Sequence, residues 1–161
     1  MLRRLWTGVE TLALAALIAF FVAMIIACTL QVIWRYVFDS PLVWSEELAK
    51  FLFIWVGYLS AWIAWKYRAH IALGAVTLLS GDRLRRFSNL FVEAIVLAFC
   101  LYTLPAGFKI VSLTHLQPSA ALQLPMSFVY AGYSAMVILI ALDILIGWVA
   151  RTPVADPHGE H

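Results

Sequence analysis

The sequence predicts an all-α integral membrane protein with four transmembrane helices and a short interfacial segment between the second and third. Hydrophobic residues make up 64% of the chain and charged residues 12%, against about 45–50% and about 25% in soluble domains. The mean hydropathy is +0.92, and four predominantly apolar segments reach the length of about 20 residues that a spanning helix needs. We therefore expect residues 1–150 to form a single four-helix membrane domain.

The first span is expected over about residues 9–34. Small side chains recur at every fourth position along it, which predicts a packing face, because small residues let helix backbones approach closely in lipid. The stripe consists of Ala15, Ala19, Ala23 and Ala27.

The start of the chain has some features of a cleaved secretory signal. Arg3 and Arg4 precede the apolar run, and Cys28 follows a lipoprotein-like sequence. A signal core is roughly 7–15 residues long, whereas this apolar run continues to Trp34. An uncleaved first span is the better interpretation.

The second span is expected over about residues 42–65. Ser40 is the predicted N-cap and Pro41 the start of the first turn, with acidic side chains near the positive end of the helix dipole. Gly57 and Ala61 form a small-xxx-small pair that favours helix packing. Three aromatic residues predict an interfacial belt at the far end, namely Trp62, Trp65 and Tyr67.

The remaining elements follow from the same pattern. Residues 71–79 are too short to span and are flanked by basic residues, which predicts the interfacial segment. The third span is expected over about 87–111, with a kink at Pro105, and the fourth over about 126–150. Residues 151–161 contain two prolines and no apolar run, so we expect a disordered tail.

The distribution of lysine and arginine predicts the orientation. With four spans, eight basic residues lie on the side of the two termini and three on the other. The eight are Arg3, Arg4, Lys66, Arg68, Arg83, Arg85, Arg86 and Arg151, and the three are Arg35, Lys50 and Lys109. The positive-inside rule then places both termini in the cytoplasm.

Charged side chains at membrane depth are expected to be paired near the leaflet edges. Glu10, Glu93 and Asp143 lie toward the basic cytoplasmic side, while Lys50 and Lys109 lie toward the acids of the opposite side. A proton or ion relay needs carboxylates near the midplane, and this pattern offers none there.

Catalytic and cofactor chemistry have no candidate residues. The histidines lie away from mid-membrane depth, which excludes paired haem ligands; they are His70, His115, His158 and His161. Zinc-ligand spacing and a phosphate-binding glycine loop are also missing from the sequence. We therefore expect no enzyme activity, no catalytic residue, no cofactor and no metal, and membrane lipid rather than nucleic acid as surroundings.

Residues 35–50, here called the collar, hold five charged residues between uncharged runs of 24 and 15 residues. Glu46 and Lys50 are spaced i,i+4, and Glu47 and Lys50 i,i+3, so they can pair on one helix surface. We expect Arg35, Glu46, Glu47 and Lys50 to form an ion-pair network that fixes the junction of the first two spans.

The collar also carries a family resemblance. It resembles the small permease (DctQ-type) subunit of tripartite ATP-independent periplasmic (TRAP) transporters, and the likeness covers nearly the whole chain. The residues that carry it are Arg35, Tyr36, Val37, Phe38, Pro41, Trp44, Glu46, Glu47 and Phe51, followed by His70 and Ile71. The uncharged segment 71–79 departs from the family, which often carries more charge there.

The resemblance implies a non-catalytic subunit in the bacterial inner membrane. Its expected partners are a large TRAP permease subunit and a periplasmic solute-binding protein, and its expected role is to brace the large subunit during sodium-driven uptake of an organic acid. Two alternatives stay open: a self-sufficient small multidrug-type exporter working as an oligomer, and a membrane assembly factor.

Overall fold

The computed structural model describes residues 2–67 and 82–150. They form four α-helices: α1 (Leu2–Val37), α2 (Val43–Lys66), α3 (Asp82–Thr114) and α4 (Met126–Ala150). Each helix is long and apolar enough to cross a membrane, so the predicted four-helix membrane fold is confirmed. The interfacial segment 71–79, His70 and the tail 151–161 lie outside the described residues.

The helices lie in the spatial order α1–α2–α4–α3. Helix α1 packs against α2, α2 against α4, and α4 against α3, and the described residues show no extensive contact between α1 and α3. Because α2 and α4 each have a neighbour on two sides, they form the centre of the row. The starts of α1 and α3 lie with the ends of α2 and α4 at one end, called the terminal end; the collar lies at the other, called the collar end.

The core at the terminal end is built around Trp62, whose side chain is fully buried. Ala13 of α1 and Leu59 of α2 pack with it, and side chains of α4 close the cluster. Trp62 is therefore a core residue, and its predicted depth at the membrane interface stays a prediction. The spacing of Trp6, Ala13, Leu17 and Phe20 puts one stripe of α1 on this core.

The small-residue stripe of α1 is not its packing face within the chain. Ala15 and Ala19 are exposed, and only Ala27 at the far end of the stripe is buried. On α2, Gly57 and Ala61 are exposed as well, and a Cβ added to Gly57 would meet nothing within 4 Å. Both small-residue predictions are therefore wrong for contacts inside this chain.

Two other glycines allow the close contacts. A Cβ at Gly132 of α4 would lie 2.9 Å from Cδ2 of Tyr58 on α2. A Cβ at Gly107 of α3 would lie 2.8 Å from Oγ of Ser134 on α4. The central helix α4 thus reaches both neighbours through glycine contacts.

Aromatic rings fill the space between the central helices. The ring centroid of Trp55 lies 6.0 Å from that of Phe20 on α1 and 5.6 Å from that of Phe128 on α4. Tyr58 and Tyr133 meet edge to face at 5.9 Å. Edge-to-face and offset rings at such distances add to the area that they bury, so Trp55 joins three helices.

Helix α2 begins later than expected. Its N-cap is Leu42, which gives no side-chain cap, and Ser40 and Pro41 lie before the helix. The predicted N-cap at Ser40 is therefore wrong. Instead, the buried Ser45 donates a hydrogen bond from Oγ to the Leu42 carbonyl at 2.8 Å.

Helix α3 contains Pro105 and continues beyond it to Thr114. A proline inside a helix removes one backbone hydrogen bond. The kink at this position stays a prediction.

Candidate functional site

The collar joins α1 to α2 through a sharp reversal. Helix α1 ends because Asp39 adopts a left-handed backbone conformation, with φ of 49°, which aspartate tolerates better than most residues. The backbone N–H groups of Phe38 and Ser40 both donate to the Trp34 carbonyl, at 3.2 and 3.4 Å. The Trp34 and Phe38 rings contact each other at 4.9 Å between centroids. The reversal therefore places Arg35 close to the first turns of α2.

Glu46 and Lys50 form an exposed ion pair on α2. Lys50 Nζ lies 2.6 Å from Glu46 Oε1, and the side chains are 67% exposed for Lys50 and 57% for Glu46. Arg35 forms no ion pair with a described residue, although its charge acts on the Glu46 carboxylate. The other collar residues of the predicted motif are exposed as well, namely Tyr36, Phe38, Pro41 and Trp44.

Glu47 has a different partner from the one predicted. Its carboxylate accepts three backbone hydrogen bonds from the segment that joins α3 to α4, here called the 115–125 loop. The donors are the N–H groups of Ala120 at 3.1 Å, Ala121 at 2.8 Å and Leu122 at 2.7 Å. Among the described residues Glu47 forms no ion pair, so the expected four-residue network is wrong: only Glu46 and Lys50 pair directly.

The 115–125 loop is shaped to present these donors. Ser119 is buried, its N–H donates to the Leu124 carbonyl at 2.8 Å, and its Oγ accepts from the Leu124 N–H at 3.2 Å. Gln123 adopts a φ of 55°, which turns the chain back toward α4. A loop closed on itself leaves three successive N–H groups pointing to one acceptor, and a carboxylate can bond all of them.

A second polar group, the inner cluster, lies at the terminal end and consists of Trp6, Glu10, Trp62, Lys66 and Asp143. Lys66 Nζ lies 2.5 Å from Glu10 Oε2, with side chains only 19% and 17% exposed. The same ammonium lies 5.8 Å from the ring centroids of Trp6 and Trp62. This geometry combines an ion pair with two cation–π contacts.

The inner cluster ties α1 to two other helices. Trp6 Nε1 donates to Asp143 Oδ1 of α4 at 3.0 Å, and Glu10 of α1 binds Lys66 of α2. The Tyr67 hydroxyl also donates to Glu10 Oε1 at 2.9 Å. This hydrogen bond to a carboxylate raises the pKa of Tyr67.

The acids at this end are thus placed near basic or donor groups, although the partner of Glu10 is a lysine rather than an arginine. On the other flank, Trp148 Nε1 of α4 donates to Glu93 Oε2 of α3 at 2.8 Å. Sequence reasoning missed these tryptophan donors. Burial does not explain them, because Trp148 is 40% exposed, whereas the indole N–H of the buried Trp62 has no partner among the described residues.

The described residues contain no cluster of His, Cys, Asp and Glu that could hold a metal ion. Lys109 forms no ion pair with a described residue. The polar side chains that the structure brings together are therefore concentrated at the two ends of the helix row, where they fix helix against helix.

Comparison with known proteins identifies the family. Residues 24–152 match the model of the DctQ component of tripartite ATP-independent periplasmic transporters. The chain belongs to this DctQ family. The matched residues include the collar, the 115–125 loop and Asp143, whereas Trp6 and Glu10 precede them.

Two proteins similar to this chain are named as TRAP transporter permease proteins. The sialic acid TRAP transporter permease protein SiaT of Haemophilus influenzae is 39% identical over 82 residues, 51% of this chain and 13% of that protein. The isethionate TRAP transporter permease protein DctMQ of Oleidesulfovibrio alaskensis is 36% identical over 123 residues, 68% of this chain and 18% of that protein.

A third relative is the C4-dicarboxylate TRAP transporter small permease protein DctQ of Vibrio cholerae. It is 34% identical over 89 residues, which cover 55% of this chain and 38% of that protein. The DctQ chain therefore spans well under two thirds of each of these three relatives.

Proposed function

We propose that this chain is the non-catalytic small membrane subunit of a TRAP-type secondary transporter. In this role it braces a large permease subunit that takes up an organic acid with a sodium gradient, after a periplasmic binding protein has delivered the solute. The observation that carries the proposal is the family match over residues 24–152, and the polar ties at both ends of the helix row are consistent with a brace.

The names of the relatives support the solute class and the partner. Sialic acid, isethionate and C4-dicarboxylates are all organic acids. Two of the relatives are named permease proteins, and the matched region is 13% and 18% of their length. In those proteins the small-subunit region belongs to a much longer permease chain, so a large permease is the partner that we propose here.

The location that goes with this role is the bacterial inner membrane, with both termini in the cytoplasm. The collar and the 115–125 loop then face the periplasm, on the side from which a binding protein approaches. Arg35, Tyr36, Phe38, Pro41, Trp44, Glu46, Glu47, Lys50 and His70 are the residues that we propose as the structural and interface motif.

Reconstitution into liposomes tests the function. We expect sodium-dependent uptake of an organic acid only when this chain, the large permease and the loaded binding protein are all present. Liposomes with the large permease and binding protein alone are the control, and they should show little uptake. Flux from this chain alone would favour the exporter, and full uptake without it would favour an assembly factor.

A further inference from the structure

A groove runs between α1 and α2 in the collar half of the chain, with a volume of about 280 Å³. Its polar end is formed by Gln31, Glu46 and Lys50, and its apolar part by Met24 and Phe53. Small side chains line it as well, namely Cys28 and Ala49. The groove therefore has a polar rim and an apolar, shallow interior.

The length of α2 puts this rim at the edge of the hydrocarbon or within it. The uncharged stretch between Lys50 and Lys66 has 15 residues, which span about 22 Å at 1.5 Å per residue. The hydrocarbon layer is about 30 Å thick. The backbone at Lys50 and the backbone at Lys66 therefore cannot both lie outside it.

The two ion pairs at the ends of α2 differ in how far their side chains are exposed. The Glu10–Lys66 pair is shielded by Trp6 and Trp62 and is less than one fifth exposed. The Glu46–Lys50 pair is more than half exposed. An open ion pair facing lipid is costly, so we expect another molecule to cover the second pair.

The groove also has unused hydrogen-bonding groups. Glu46 Oε1 accepts from Lys50, while Glu46 Oε2 and the Gln31 amide form no hydrogen bond with a described residue. These groups need donors as well as acceptors from whatever covers them. Acyl chains offer neither, whereas a side chain on a spanning helix can offer both.

We propose that this groove is the docking surface for a membrane-spanning helix of the large permease subunit. The inference rests on the proposed function, which supplies that subunit. The helix lies along α1 and α2, approaches closely over Cys28 and Ala49, and offers a hydrogen-bonding side chain to Gln31 and Glu46. Small residues and interhelical polar contacts are the features that drive helix association in lipid.

The groove between α3 and α4 provides a contrast. It is lined by Val111, Leu124, Pro125, Phe128 and Ala131, with Ser127 as its polar side chain. Acyl chains can fill such a surface without leaving a charge uncovered. The α1–α2 groove is therefore the site that needs a protein partner.

Photo-cross-linking in the assembled complex tests the inference. A benzophenone amino acid replaces Phe53 in the groove or, as the matched control, Phe108 on α3; the two side chains are 65% and 53% exposed. Membranes containing both subunits are irradiated, and cross-linked products are identified by mass. We expect a cross-link to the large permease when the benzophenone is at position 53. We expect no such product when it is at position 108.

The outcomes separate the two proposals. If the unsubstituted subunits form no complex, the proposed function is overturned together with this inference. If the complex forms but position 108 cross-links as strongly as position 53, only the docking surface is wrong. A product at position 53 that contains phospholipid and no permease would also overturn it.

A substitution at the rim gives a second measurement. Gln31→Leu is expected to lower the amount of co-purified large permease by about threefold to tenfold. This is the effect expected from the loss of one interhelical polar contact. Ser127→Leu, the matched change in the α3–α4 groove, should leave the yield unchanged. Equal yields from both variants would contradict the proposal.

Discussion

At the scale of single residues, the adjacent acids Glu46 and Glu47 of the collar bind different partners. Consecutive helical residues point about 100° apart, so Glu46 and Glu47 cannot share one surface. Glu47 faces the 115–125 loop and accepts its three N–H groups, whereas Glu46 faces the groove with Lys50. One acid therefore holds the chain together, and the other is available to a partner.

Replacing Glu47 is expected to release the loop. In the Glu47→Gln variant the carboxylate charge is lost, and an amide NH₂ group replaces one acceptor opposite the N–H groups of residues 120–122. We expect the melting temperature of the purified chain in detergent to fall by several degrees and protease cleavage within 115–125 to become faster.

Glu46→Gln is the matched control for this experiment. The Glu46 side chain is 57% exposed, and an exposed i,i+4 pair contributes little to stability. Its melting temperature should stay close to that of the unsubstituted chain. An unchanged melting temperature of Glu47→Gln would contradict a stabilising role of its three backbone hydrogen bonds.

The contact between Glu46 and Lys50 could be predicted from the sequence, and the contact between Glu47 and the 115–125 loop could not. Glu46 and Lys50 lie one helical turn apart, so their pairing follows from helix geometry alone. Glu47 and Ala120 are separated by 73 residues, and the donors are backbone groups that every non-proline residue carries. Residue types therefore gave no sign that this acid would bind the loop.

At the scale of helices, α4 is held by two close contacts at glycine. We expect Gly132→Ala to destabilise the chain strongly, because its Cβ would lie 2.9 Å from the Tyr58 ring and 3.3 Å from Trp55. Gly107→Ala should also destabilise the chain, because its Cβ would lie 2.8 Å from the Ser134 hydroxyl and 3.2 Å from the Tyr133 ring. Thermal unfolding in detergent measures both effects.

Gly57→Ala is the control within the same fold. A Cβ at Gly57 meets nothing within 4 Å, and alanine favours a helix over glycine by about 1 kcal/mol. We expect unchanged or slightly higher stability of the isolated chain. A large loss at Gly57, or none at Gly132, would contradict the packing described here.

The helices themselves were predictable, and their facing surfaces were not. Long uncharged runs specify membrane helices, because each run must be solvated by lipid. Alanine and glycine are common on every face of such helices, so the spacing of Ala15 and Ala19 could not show that they are exposed. The buried faces instead follow large residues such as Trp55 and Trp62, whose packing depends on neighbouring helices.

At the scale of the whole molecule, both ends of the helix row are tied by polar contacts. At the collar end, Glu47 joins α2 to the loop before α4. At the terminal end, Lys66 binds Glu10, Trp6 binds Asp143, and Trp148 binds Glu93. The row α1–α2–α4–α3 is thereby fixed as one unit with a large apolar surface, which suits the bracing role that we propose.

The orientation of this unit is the last prediction. Eight basic residues on the side of the termini against three on the collar side predict cytoplasmic termini. Single cysteines test it in a background with Cys28→Ala and Cys100→Ala, using Gly8→Cys at the terminal end and Ser40→Cys and Leu116→Cys at the collar end. All three positions are exposed.

A membrane-impermeant maleimide is added to intact cells. We expect Ser40→Cys and Leu116→Cys to be labelled at once, because the collar end is predicted to face the periplasm. Gly8→Cys should be labelled only after the inner membrane is permeabilised, and the cysteine-free background controls for other thiols. The reverse pattern would place the collar in the cytoplasm, away from the periplasmic binding protein that we propose as a partner.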